Sequence, residues 1–142
     1  MLFRSCHDLG KTVTAPELLP HHHGHEAVGP DMAQSLARRL RLPNRHGAAG
    51  RLAARWHMAA GCYDGLKPST RVRLLLELDK AVIMESFFRM VAADQGGEQL
   101  ERARRELDLI TSVRLPEKHR DLGPKSADIL LMLRCEALSA ES

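Results

Sequence analysis

Residues 69–82 read STRVRLLLELDKAV, and the fold turns on this stretch. Val72, Leu75, Leu76, Leu78 and Val82 recur at helical spacing and nearly fill the circumference, which places the helix at the centre of a bundle rather than on a surface. Ser69 or Thr70 offers the hydroxyl that caps its first turn. The carboxylate of Asp79 stands among these apolar residues in the run Leu78-Asp79-Lys80-Ala81. A charge buried there needs a partner, either an arginine from a neighbouring helix or a metal ion.

Helical spacing continues on both sides. Residues 26–41 place Val28, Met32, Leu36 and Leu40 four apart, with Arg38, Arg39 and Arg41 on other faces. Pro43-Asn44 ends that helix and starts the next, which spans residues 44–60, carries Leu52, Trp56 and Ala59 on one face, and stops at Gly61. Asp64-Gly65 marks a turn within the loop 62–68. Further on, residues 85–93 are amphipathic and end near Gly96-Gly97. Residues 98–113 alternate Glu and Arg on a solvated face with Leu100, Leu107 and Ile110 inward, and Pro116 breaks the pattern. Gly123-Pro124 opens a last helix whose buried side is Leu130, Leu131, Leu133 and Leu138. No strand pattern or internal repeat competes. The reading is all-α: a single domain over residues 1–142, a bundle of about six helices joined by short loops.

Composition narrows the partners. Three Phe, one Tyr and one Trp give a core of Leu, Ala, Val and Met and make base-stacking platforms a poor expectation. A net charge of +3 and a pI of about 9.0 permit an RNA or nucleotide partner without demanding one, because most arginines alternate with acids along helices. Cys6, Cys62 and Cys135 are odd in number, far apart and without C-x-x-C spacing, as in a reducing cytosol, so a cytoplasmic protein is expected. No apolar run approaches the roughly 18 residues that span a bilayer. The start Met1-Leu2-Phe3-Arg4-Ser5 is too short for a signal peptide.

The chemistry gathers near the front. In Cys6-His7-Asp8-Leu9-Gly10-Lys11 an imidazole and a carboxylate stand side by side and can share one divalent ion. Gly10 lets the backbone turn tightly, and Lys11 sets a cation beside whatever anion the ion binds. Five of the eight histidines lie within the first 25 residues, including His22-His23-Gly24-His25-Glu26, and His57 follows on a helix. Each has a plainer reading: Lys11 as a solvated cation, His22 and His25 as part of a ligand-free loop, His57 as a structural histidine beside Trp56. His21 and His23 are bystanders.

This order of residues resembles the HD-domain metal-dependent phosphohydrolases. The longer run His7-Asp8-Leu9-Gly10-Lys11, Thr12-Val13-Thr14-Ala15-Pro16, Leu19-Pro20, His22 to Glu26, Leu40-Arg41-Leu42-Pro43-Asn44 and His57 looks more narrowly like the HD region of bacterial tRNA nucleotidyltransferases, the CCA-adding enzymes. The likeness covers about half the chain, residues 6–81. It implies an HD helical bundle in which His7, Asp8 and Asp79 hold a divalent ion (Ni, Mn, Co, Fe or Mg). Lys11, His25 and His57 would act on the phosphate as catalytic contacts, with His22 and His25 binding the phosphate or a second ion. The implied activity is metal-dependent hydrolysis of 2′,3′-cyclic phosphates or 2′-nucleotides in tRNA 3′-end processing, with the tRNA 3′ end or nucleotide phosphates as partners. Two departures stand out. Met58 follows His57 where such proteins carry Asp. The family's upstream His-bearing helix and its nucleotidyltransferase head would lie before His7, so the chain reads as N-terminally truncated and without polymerase chemistry. An apolar face left by the missing helix would favour a homodimer. The rival expectations are a degenerate helical module that binds RNA or protein, and a standalone HD nucleotidase acting on free mononucleotides.

Overall fold

A computed structural model describes residues 6–140. Among them the protein is all-helical, with six α-helices and no strand: α1 (His25–Arg39), α2 (Asn44–Gly61), α3 (Pro68–Lys80), α4 (Met84–Gln95), α5 (Leu100–Ser112) and α6 (Pro124–Ala140). Short 3-10 turns at Leu9–Val13 and Pro16–Leu18 precede α1, and others at Tyr63–Gly65 and Glu117–His119 sit in the later connections. None of these helices is long and apolar enough to cross a membrane.

The central place of α3 follows from its sequence. Val72, Leu74, Leu75 and Leu78 are fully buried and meet Tyr63, Phe87, Phe88, Val91, Ile110 and Leu138 in one cluster. Tyr63 and Phe87 each set a ring edge-on to Phe88, at centroid distances of 5.4 and 5.5 Å, the arrangement that the ring quadrupoles favour. Where α3 ends, the structure departs from expectation. The helix stops at Lys80 and not at Val82, which is 90% exposed with a φ of 55°. The chain reverses there, with the Val82 and Ile83 amides donating to the carbonyls of Asp79 and Leu78. Neither Ser69 nor Thr70 caps the start. Pro68 occupies the first turn, where its missing N–H costs nothing, and Lys67 takes the cap position without a side-chain bond. In α6 only Leu138 is fully buried, while Leu130, Leu131 and Leu133 are half-buried.

Glu106 of α5 is the one acid within this core among the described residues, and its donors surround it. Tyr63 Oη donates at 2.8 Å, Arg71 Nη1 of α3 at 2.5 Å and Arg102 Nε, one turn earlier on α5, at 2.9 Å. Burial, followed by the hydrogen bond to Glu106, pushes the Tyr63 phenol far above its ordinary range.

At the other end, α1 and α2 pack along each other through small residues. A Cβ added at Gly29 would lie 3.2 Å from that of Ala54, at Gly47 3.2 Å from that of Ala37, and at Gly50 3.5 Å from that of Ala33. This close approach brings together the side chains that project from the two helices near the N-terminal turns.

Candidate metal centre

His7 and Asp8 lie in the turn between helical Cys6 and the 3-10 segment Leu9–Val13. His25 opens α1, His57 sits on the buried face of α2, and Asp94 is in the last turn of α4. Gly10 fixes the turn against α1: a Cβ there would overlap the carbonyl oxygen of His25, so only glycine lets this backbone pack so closely. Gly24 matters for a different reason than contact. Its φ of 79° is left-handed, and nothing lies within 4 Å of a Cβ there.

Three ligand atoms face one another across a small gap. His25 Nε2 and His57 Nε2 are 3.1 Å apart, and Asp8 Oδ1 is 3.4 Å from the first and 3.3 Å from the second. On their far sides both rings are held by backbone carbonyls, which can only accept. His25 Nδ1 reaches His22 O at 2.8 Å, and His57 Nδ1 reaches the carbonyls of Ala53 and Ala54 at 3.1 Å. Each Nδ1 therefore carries the proton, and each Nε2 turns a lone pair into the gap. Asp8 Oδ1 is shielded from solvent and accepts no hydrogen bond. Three inward-facing acceptors repel unless a cation or an added proton joins them.

A second group shares the same acid. His7 Nε2 is 3.5 Å from Asp8 Oδ2 and 3.5 Å from Asp94 Oδ1. Both sets, Asp8/His25/His57 and His7/Asp8/Asp94, have ligand atoms within 4.8 Å of one another and could hold a metal ion. Atoms bound about 2.0–2.1 Å from an ion in tetrahedral or octahedral array lie about 2.9–3.4 Å apart, so the first set matches the edge of such a polyhedron. Imidazole nitrogens oriented by carbonyls, joined by a carboxylate, suit a divalent transition ion.

Electrostatics favour an ionised Asp8 and disfavour protonation of His57. Burial would raise the Asp8 carboxyl, but the Lys11 hydrogen bond and the charges of His7, Lys11 and His57 outweigh it and hold the group below its ordinary range. Burial, then the neighbouring charge of His7, lowers His57 below the usual imidazole value. Lys11 Nζ sits 2.6 Å from Asp8 Oδ2, on the side of the acid that faces His7 and Asp94.

Of the residues singled out in the sequence, His7, Asp8, Lys11, His25 and His57 converge. Asp79 does not. It is exposed near the end of α3 and belongs to neither ligand set. The helix emerges from the core there, so its carboxylate is in water and has no desolvation to offset. Asp94 stands where a ligand from Asp79 was expected. Both acids occupy the last turn of a helix, against the dipole, and that local conflict alone did not distinguish them. The packing of α4 on α2 does: Gln95 Nε2, beside Asp94, donates to the carbonyl of His57 at 3.1 Å. His57, expected as a phosphate contact, and His25, expected to bind the phosphate or a second ion, both fall in a group whose atoms could hold a metal ion. His22 turns its ring to Thr14 Oγ1 at 2.8 Å while its carbonyl holds His25, so it orients the His25 ring. His21 and His23 stack on each other at 5.6 Å and belong to neither ligand set. Met58 is 44% exposed, so its side chain points away from the buried centre.

The described residues form an all-α protein with histidine–carboxylate groups that could hold a metal ion. No family model matches the chain, and no solved structure matches it.

Proposed function

We propose that the protein is a metal-dependent phosphohydrolase of HD type, acting on phosphoesters at nucleotide or RNA ends. The observation that carries this reading is the Asp8 carboxylate, which turns Oδ1 toward His25 and His57 and Oδ2 toward His7 and Asp94. One acid shared by two ligand sets suits chemistry at a phosphate, whose oxygens spread charge across a short distance. When bound, a divalent ion supplies Lewis acidity that brings the pKa of a coordinated water toward neutrality. The chain's residues do the rest. His25 and His57 present fixed lone pairs, Asp8 and Asp94 supply negative charge that offsets the cation, and the carbonyls of His22, Ala53 and Ala54 keep the rings in place. Lys11 exchanges Asp8 for a phosphoryl oxygen of the substrate and neutralises it as a point charge. Ni, Mn, Co and Fe fit these nitrogen and oxygen donors; Mg fits less well, because it favours oxygen.

The resemblance of His7 through Glu26 to the HD region of tRNA nucleotidyltransferases supports 2′,3′-cyclic phosphates and 2′-nucleotides at tRNA 3′ ends as the substrate class. Hydrolysis of bis-p-nitrophenyl phosphate with each metal in turn tests the activity, and 2′,3′-cyclic AMP against 5′-AMP tests the substrate class. Turnover that disappears in both Asp8→Ala and His57→Ala supports the hydrolase. Metal uptake without turnover on any phosphoester would contradict it and leave a helical binding module. Preference for 5′-nucleotides would point to a standalone nucleotidase.

A further inference from the structure

The charge of this chain is unevenly distributed. Between Asp31 and Asp64 there is no acidic residue, yet six arginines fall in that window: Arg38, Arg39, Arg41, Arg45, Arg51 and Arg55. The rest of the chain, with fifteen basic against eighteen acidic groups, is net acidic. The arginines therefore do not simply alternate with acids, as the helical pattern elsewhere suggests.

The structure assembles half of them into a row. At 100° per residue, Arg45, Arg51 and Arg55 fall within an arc of about 120° on α2, centred opposite His57, and extend over about 15 Å of the axis. Arg51 and Arg55 line a groove of about 360 Å³ with Lys80 and Glu77 from the end of α3, floored by Ala48, Leu52 and Ala81, so its lining carries three cations against one acid. Of the six arginines, only Arg55 has a carboxylate partner among the described residues, Glu77 at 3.5 Å. Arg51 is half-buried without one.

We propose that this face of α2 binds the phosphate backbone of a polynucleotide, with Arg45, Arg51, Arg55 and Lys80 as its phosphate contacts. The guanidinium fork pairs phosphate oxygens in two-point fashion, which a lysine-rich surface would not do. Several cations spread along one helical face suit a polymer that carries repeated charge. The choice of a polynucleotide over other polyanions rests on the hydrolase reading, since α2 carries both the row and His57. A helix is about 10–12 Å across, so a few nucleotides connect one face to the other. A free mononucleotide cannot touch both.

The test is fluorescence anisotropy with a labelled single-stranded RNA of about 20 nucleotides at low salt, in EDTA, so that binding is read without metal or turnover. Arg45→Gln/Arg51→Gln should weaken binding at least tenfold and flatten the dependence of log K on log salt by about 1.4, about 0.7 for each phosphate that the variant no longer neutralises. Arg89→Gln/Arg104→Gln, which removes two arginines of α4 and α5 that pair with Glu85, should change little. Circular dichroism reports folding of each variant. Arginine modification of the wild type followed by mass spectrometry gives a check independent of the variants: RNA should protect Arg45 and Arg51. Absence of RNA binding, equal losses in both double variants, unprotected arginines, or equal binding of polyglutamate or phosphatidylserine vesicles would each overturn the proposal. Because the metal is chelated throughout, a failed hydrolase assay and a failed RNA assay are separate results.

Discussion

Two carboxylates, one buried and one half-buried, sit in this molecule under opposite conditions. Glu106 lies in the core between α3 and α5 and is met by a phenol and two guanidinium groups, so the protein itself supplies its donors. Asp8 lies between the N-terminal turn and α1 and α2, where Oδ1 faces two imidazole lone pairs and accepts no hydrogen bond. The first is complete as folded and serves stability. The second leaves facing acceptors that a cation or an added proton would satisfy, an arrangement held at some cost in stability.

The sharpest way to break this contrast is to remove the charge from each acid in metal-free protein. Glu106→Gln takes away the carboxylate that Arg71, 4% exposed, meets in the core and should lower unfolding stability by about 3–5 kcal/mol in urea titrations. Asp8→Asn should change stability by no more than about 1 kcal/mol, because its pairing with Lys11 is screened by water, while eliminating metal uptake. Equal destabilisation by the two substitutions would erase the distinction between them.

Gly10→Ala comes next in size. Its Cβ would overlap the His25 carbonyl, so the turn and α1 must separate. Stability should fall by about 1–3 kcal/mol and metal affinity by more than tenfold, read by calorimetric titration. Gln95→Ala removes the bond to the His57 carbonyl and should cost about 1 kcal/mol. It should also weaken metal binding severalfold, since groups that orient ligands tune affinity. Asp79→Ala should have the smallest effect: within about 0.5 kcal/mol of wild type, with unchanged metal affinity.

The fold was legible because its signals are periodic. Apolar spacing and Pro/Gly punctuation located the six helices α1 to α6 of the described residues, with α3 at the centre, and the ends differ by a few residues where Lys80 gives way to an exposed Val82. Local features marked most of the centre as well: the His7-Asp8 pair, and the two histidines His25 and His57 that face it. Asp94 was hidden because its role depends on how α4 docks against α2, and no local pattern encodes that contact. Apolar neighbours in sequence do not bury Asp79, because a side chain near a helix end can reach water. The arginine row is invisible in a net charge of +3, which averages a basic window against an acidic remainder.

Equilibrium dialysis against Mn²⁺, Co²⁺ or Ni²⁺, followed by elemental analysis of the retained protein, tests the central claim most directly. The wild type and Asp79→Asn should retain at least one ion per chain. Asp8→Asn should retain none, and Asp94→Asn should retain less than wild type. No retained ion in the wild type, or loss in Asp79→Asn with full retention in Asp8→Asn, would contradict the account.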